Sequence, residues 1–341
     1  MTDRGIVVVG AGIVGASLAY HLAGHGRSVT VLDAGLPASG ATRASFAWIG
    51  RSVDGALPSA PLRRLALDEY RRVEAELPAL AIRWSGSVSW DGFDTSAGPR
   101  THDAAALEPN LNAPPAEAVH RPDDAAFDPV AGSEVLIAAA RDRGARVLTG
   151  TLATALDHRD GTVHGVRTTA GPVPAGTVVL AAGTGTVALC AGIGVTLPVE
   201  PSPAILVRLR AAPGLVRGIV ATPALEARQL DDGTVLAPVA YGGETDRAAL
   251  LATAHRVRDR FAAAFAGAGD AEVDSVEIGW RPMPADGEPV IGPPPGTDGL
   301  YVAVMHSAIT LAAAAGRLAA TEILTGSPAP ELAGCRPHRF A

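Results

Sequence analysis

Residues 5–33 read GIVVVGAGIVGASLAYHLAGHGRSVTVLD, and this stretch decides the fold. The β-branched run 5–9 has the composition of a short buried strand. ASLAYHLAGHG (16–26) places Leu18 and Leu22 on one helical face, and Gly24 and Gly26 end the helix. SVTVLD (28–33) is a second apolar strand that stops at an acid, so the whole is one βαβ unit. Between strand and helix stands GAGIVG, in which Gly10, Gly12 and Gly15 have separate tasks: a tight turn, close approach of backbone to a pyrophosphate, and close packing of helix on strand. Ala11, Ile13 and Val14 complete the turn, and the helix starting near Ile13 aims its free N–H groups at an anion. Asp33, followed by Ala34, lies 23 residues after Gly10. A carboxylate there accepts hydrogen bonds from ribose hydroxyls and repels a 2′-phosphate, which argues against NADP and leaves NAD and FAD open; a plain turn role for Asp33 also stays open.

The chain has 341 residues, 48% hydrophobic and 18% charged, with a net charge of −7. That supports two domains, or one large α/β domain with an insert, and offers no basic surface for nucleic acid. All 28 basic residues are arginine, so no lysine is available as Schiff base or general base. Cys190 and Cys335 stand far apart without ligand-type neighbours, which predicts neither a disulfide framework nor a metal site, and a cytoplasmic setting. No run reaches the roughly 18–20 apolar residues of a membrane span.

Further along, 34–60 is rich in Gly, Ala, Ser and Pro and reads as a long ligand-holding loop. A helix is expected over 61–77, with Pro61 at its start, and a strand and hairpin over 81–92. A Pro-rich crossing spans 109–123, and a helix leads into a strand over 133–150. The segment beginning at Thr151 reads as a three-stranded meander, with a turn at Asp160-Gly161, feeding back to the parallel sheet. Short alternating strands fill 203–241, a helix covers 246–266, and a strand ends at Gly279. Segments 81–125 and 201–280 are therefore expected to form one mixed-sheet domain inserted twice into the nucleotide domain.

Four segments in order carry a family resemblance: GAGIVG, GATRASFAWI (40–49), TVVLAAGTGTVAL (177–189), and WRPMPADGEPVIG with YVAVMHSAITLA (280–292 and 301–312). Together they resemble the D-amino-acid oxidase superfamily, which includes glycine oxidase, sarcosine oxidase and D-amino-acid dehydrogenase. The resemblance covers half to two-thirds of the chain and is weakest over 201–276. It implies noncovalent FAD and a Rossmann-like α/β FAD-binding domain of the glutathione-reductase type (1–80, 126–200 and 281–341), with an inserted α+β substrate domain (81–125 and 201–280). It also implies that Thr42, Arg43, Ala44 and Ser45 run along pyrophosphate and flavin, and that Leu152 offers its backbone to adenine. Ala182 and Gly183 pass close to the cofactor. Met305, His306, Ser307, Ala308, Ile309 and Thr310 face the flavin, with a helix N-terminus favouring negative charge. His306 has a second reading as a packed loop histidine.

The same resemblance gives Arg281 the role of gripping a substrate carboxylate, which a planar guanidinium matches bidentately; a structural tie between the domains is its other reading. Tyr241 is a candidate for a substrate hydrogen bond, or a half-buried sheet tyrosine. Ala308 departs from the usual glycine of the family's segment, and neither cysteine falls on the flavin-tethering motif. The missing lysine leaves the electron acceptor open between oxygen and another molecule. The implied reaction is oxidation of a CH–NH bond in an amino-acid-like substrate. Oxidation of a 2-hydroxy acid, another oxidation of specialised metabolism, and a role as the FAD-binding subunit of a hetero-oligomeric amine dehydrogenase are the alternatives. The oligomeric state is open.

Overall fold

Strand Ile6–Val9 lies inside a six-stranded sheet, in the order Val290–Gly292, Leu300–Val304, Thr177–Leu180, Ile6–Val9, Val29–Leu32 and Arg146–Leu148. All pairings are parallel except that of the edge strand Val290–Gly292. Strands covered on both faces must be apolar throughout, which is why IVVV, VTVL, TVVL and LYVAV carry no charge. The computed structural model describes residues 5–50, 55–92 and 98–340. The expected loop at 34–60 is therefore described except at 51–54, and the 81–125 segment except at 93–97.

Side chains alternate across this sheet. Ile6, Val8, Val29 and Val31 meet the helices Ile13–Ala23, Ala60–Glu76, Pro129–Asp142 and Ala308–Thr325 on one face. Val7, Val9 and Leu32 meet the meander Ala153–Arg159, Thr162–Thr168 and Gly171–Pro174 on the other. Helices Ile13–Ala23 and Ala308–Thr325 cross in close contact: Ser17 Oγ donates to the Ala312 carbonyl at 2.7 Å, and a Cβ on Gly316 would lie 2.1 Å from Ser17 Oγ. One helix, Ala308–Thr325, is long and apolar enough to cross a membrane by length and composition alone. Its apolar side chains are packed into the core described above.

A second sheet has eight strands, in the order Glu272–Pro284, Val199–Arg210, Thr234–Ala240, Glu226–Gln229, Ile219–Ala221, Ser87–Ser89, Ala118–Arg121 and Arg100–Thr101. Ile219–Ala221 and Ser87–Ser89 pair in parallel, joining the segments around 81–125 and 201–280. Ile205, Val207, Leu209, Val235 and Ala237 face the helix Arg247–Ala264 through Val257 and Phe261, so the opposite face is left for the first sheet.

Three local readings change. The hairpin expected over 81–92 is a single strand whose partners are distant in sequence. The crossing at 109–123 contains the strand Ala118–Arg121. The strand expected to end at Gly279 runs on to Pro284, so 280/281 falls inside it, as 200/201 falls inside Val199–Arg210. Trp280 and Arg281 are thereby strand residues of the second sheet.

Candidate cofactor and substrate site

The glycine turn is as tight as its spacing suggests. Gly10 adopts φ +101°, where a Cβ would lie 2.4 Å from the Ala181 carbonyl oxygen. A Cβ on Gly15 would lie 1.9 Å from the Gly10 carbonyl oxygen. Asp33 holds the turn in shape: its Oδ2 accepts the Ala11 amide at 2.7 Å, and its Oδ1 accepts the Gly35 amide at 2.8 Å. Thr42 Oγ1 accepts the Ile13 amide at 3.1 Å, while Gly12 supplies no side-chain cap. The Val14 amide, on the same wall, has no acceptor among the described residues.

This turn opens into a cavity of about 890 Å³, bounded by Asp33, Ala34 and Leu152 together with Gly10, Gly12, Ile13 and Val14. Thr42, Ala44, Ser45, Ala182 and Gly183 line it further along, and so do Met305, His306, Ser307, Ala308, Ile309 and Thr310. Arg281 reaches the same cavity from the second sheet. The helix Ala308–Thr325 begins on the wall without a side-chain cap at Ser307, so a second helix N-terminus, with its partial positive charge, faces the interior. Tyr70 Oη donates to the Ile309 carbonyl, and Thr310 Oγ1 to that of Trp48 at 3.1 Å, which fixes this end.

Four expected residues do not line the cavity. Ala11 and Gly15 sit behind the turn they shape. The Arg43 side chain turns outward to Glu277, donating from Nε at 3.0 Å. Tyr241 packs on the outer side against Trp280, with ring centroids 6.4 Å apart. The physical reason is register: Ala240 pairs with Ala204, whose side chain lines the cavity, and the next residue along the strand points to the opposite face. Tyr241→Phe is accordingly expected to leave flavin content and turnover unchanged within about twofold in steady-state assays. A large loss of turnover would return Tyr241 to the site.

Arg281 is held from two sides. Across the sheet it pairs with Ser202, donating from Nε to the Ser202 carbonyl at 3.3 Å and from Nη2 to Ser202 Oγ at 3.0 Å. Its Nη1 lies 3.3 Å from His306 Nε2. Burial first, then the nearby charges of Arg281 and Arg63, lower the His306 pKa, so the ring is neutral and Nε2 can accept. No carboxylate pairs with this guanidinium among the described residues.

The cavity also has walls that local sequence did not announce. Phe46, Trp48, Pro238 and Glu226 line it. The loop carrying Phe46 is clamped by the second sheet: Arg228 donates to the Phe46 carbonyl and, at 2.9 Å, to that of Phe127, and Arg208 donates to that of Arg43. Burial lowers the Arg228 pKa to about 9. Phe46 and Trp48 lie inside GATRASFAWI and could have been taken with it. Glu226 had no local signal.

A family model described as FAD dependent oxidoreductase matches residues 5–322. The chain belongs to this family. It is similar to a glycine oxidase of Bacillus licheniformis, at 25% identity over 347 residues, covering 94% of this chain and 93% of the relative. It is also similar to a D-amino acid dehydrogenase of Methylobacterium nodulans (strain LMG 21967 / CNCM I-2342 / ORS 2060), at 29% identity over 416 aligned residues and 96% of each chain. In fold it matches an L-amino acid deaminase of Proteus vulgaris with its specific insertion sequence deleted, at a TM-score of 0.87 and 20% identity, over 99% of this chain and 94% of that one.

As an FAD-dependent oxidoreductase the protein uses FAD, and the residues present fit that cofactor. The glycine turn has no room for side chains, an amide and a helix end point into the cavity beside it, and Gly183, at φ +56°, has only open space where a Cβ would be. The volume lies in the upper part of the range of small-molecule sites, about 300–1,000 Å³, as a dinucleotide plus a small substrate requires.

Proposed function

We propose that the protein oxidises the CH–NH bond of an amino acid or related amine. The observation that carries this reading is Arg281, a guanidinium on the cavity wall that is positioned by Ser202 and His306 and lacks an acidic partner among the described residues. Such a group in a partly desolvated site is matched by a carboxylate, which it binds through two parallel hydrogen bonds. FAD held along this wall would supply a hydride acceptor for the substrate. The chain does the rest by orientation: Arg281 anchors the carboxylate, neutral His306 keeps the guanidinium aimed, and Phe46 and Trp48 exclude water beside the reacting carbon. The N-terminus of the helix Ala308–Thr325 stabilises the negative charge that builds at that end. With the nitrogen's proton released to water, the oxidised substrate is an imine, which water hydrolyses to a keto acid and ammonia, or to an amine where the nitrogen was substituted.

In this reading the six-stranded sheet and its helices form a Rossmann-like FAD-binding domain of the glutathione-reductase type, and the eight-stranded sheet is a substrate domain inserted into it. The glycine turn on one and Arg281 on the other support that division. FAD is held noncovalently, since neither Cys190 nor Cys335 lines the cavity. The test is anaerobic bleaching of the purified yellow protein by amino acids, N-methyl amino acids and 2-hydroxy acids. Bleaching by at least one amine that carries a carboxylate is expected, and failure of all of them refutes the reading. Reoxidation of the bleached protein in air decides between oxygen and another acceptor.

A further inference from the structure

One charged group on the cavity wall has no role in the reaction as described. Glu226 begins the strand Glu226–Gln229, whose partner positions are Leu236 for Arg228 and Val235 for Gln229. Two residues further along the same ladder, Glu226 stands beside Pro238, which lines the cavity with it. Pro238 pairs with Leu206, Ala204 with Gly279, and Ser202 with Arg281, so alternation puts Glu226, Pro238, Ala204 and Arg281 on one face of the sheet. The wall opposite the cofactor turn therefore carries a fixed cation towards one end and a carboxylate towards the other.

This carboxylate is unpartnered. No described residue gives it a hydrogen bond or an ion pair. The nearby cations are committed elsewhere: Arg228 to the Phe46 and Phe127 carbonyls, and Arg208 to Glu277 and the Arg43 carbonyl. Burial alone pushes the Glu226 carboxyl up to about 7. An acid that served the fold would be paired, because a desolvated charge without a partner costs free energy. One that is left unpaired on a cavity wall is kept for a ligand.

We propose that Glu226 selects substrates bearing a protonated nitrogen, pairing with it while Arg281 pairs with the carboxylate. The proposal rests on reading the cavity as a site of amino-acid oxidation. It makes the substrate a zwitterionic or cationic amino acid, and it places 2-hydroxy acids and plain carboxylates at a disadvantage, since their only charge meets an uncompensated Glu226. The nitrogen is either the α-amine or a side-chain amine, and the two are separated by the choice of ligand.

The test uses the FAD-loaded protein, its near-isosteric Glu226→Gln variant and, as a second replacement, Glu226→Ala. Retained flavin in the variants reports folding. Each is titrated with an amino acid of neutral side chain, a dibasic amino acid, the matching 2-hydroxy acid and propionate, with binding read from the flavin spectrum and reaction from anaerobic bleaching. Amino-acid binding is expected to weaken roughly 10- to 100-fold in both variants, the range of one charge-assisted hydrogen bond. Propionate and the hydroxy acid are expected to bind as well as before or more tightly, because a repelling charge has gone. A loss shared by both amino acids assigns the α-amine, and a loss confined to the dibasic one assigns the side chain. Equal losses for amino acids and propionate, or no loss for either, overturn the proposal. If no amine bleaches the wild-type flavin, oxidation of amines fails as the reaction, and the binding titrations still decide the part assigned to Glu226.

Discussion

Gly15→Val is expected to give a protein without flavin. Even before the two methyls of the branch are counted, a Cβ at this position falls 1.9 Å from the Gly10 carbonyl oxygen, well inside contact distance. Relief is blocked behind it, because Gly10 sits at φ +101° with its own Cβ position 2.4 Å from the carbonyl oxygen of Ala181, just past the end of the adjacent strand Thr177–Leu180. The helix Ile13–Ala23 must therefore lift off the sheet, taking its N-terminus and the Thr42 contact at Ile13 with it. Overpacking of this kind costs about 1–3 kcal/mol of stability. Loss of a bound ligand adds to it, since a cofactor that binds only the native state stabilises it by mass action. The ratio of flavin to protein absorbance after purification and the thermal midpoint read both effects. A Gly15→Val protein with full flavin content would mean that the turn does not bear on the cofactor.

Arg281→Ala is the second large effect, and it has the opposite profile: flavin content is kept and substrate handling is lost. The contacts of Arg281 go to Ser202, Pro203 and His306, none of which belongs to the glycine turn. Truncating one partner of a buried charge pair costs about 2–5 kcal/mol, much of it from the partner left unpaired. A fall in kcat/KM of roughly 30- to 4,000-fold follows. Most of it should appear in KM, because the carboxylate is gripped in ground state and transition state alike. Arg281→Lys should recover only part, since an ammonium offers one point charge where the guanidinium offers a planar fork. An unchanged KM for carboxylate substrates in Arg281→Ala would refute the anchoring role.

The legible and the illegible parts of this chain differ in the range of the interactions that create them. GAGIVG, Asp33 and the meander at 153–174 are local: backbone sterics, turn residues and alternation over a few positions suffice to specify them. The wall formed by Glu226, Pro238 and Arg281 exists only because successive pairings align strands distant in sequence, from Glu226–Gln229 through to Glu272–Pro284. No window of local sequence contains that alignment. Tyr241 shows how narrow the margin is, because a single step along the strand exchanges the cavity face for the outer one. The stretch at 81–92 failed for a related reason. Its turn residues suggested a local hairpin, whereas Ser87–Ser89 finds its partners at Ala118–Arg121 and Ile219–Ala221.

The cavity lies between two helix N-termini, one at Ile13 and the other at Ala308, far apart in sequence. During synthesis the first is made long before the second, and the strand Leu300–Val304 and the second helix must leave the ribosome before the opposite wall exists. Until then the sheet ends at Thr177–Leu180, with an unpaired edge where Leu300–Val304 will dock. Contacts of such long sequence separation form late and slowly. Cofactor capture thus waits for the second helix, and chains cut short before Leu300 would emerge with an exposed edge and no means of retaining flavin.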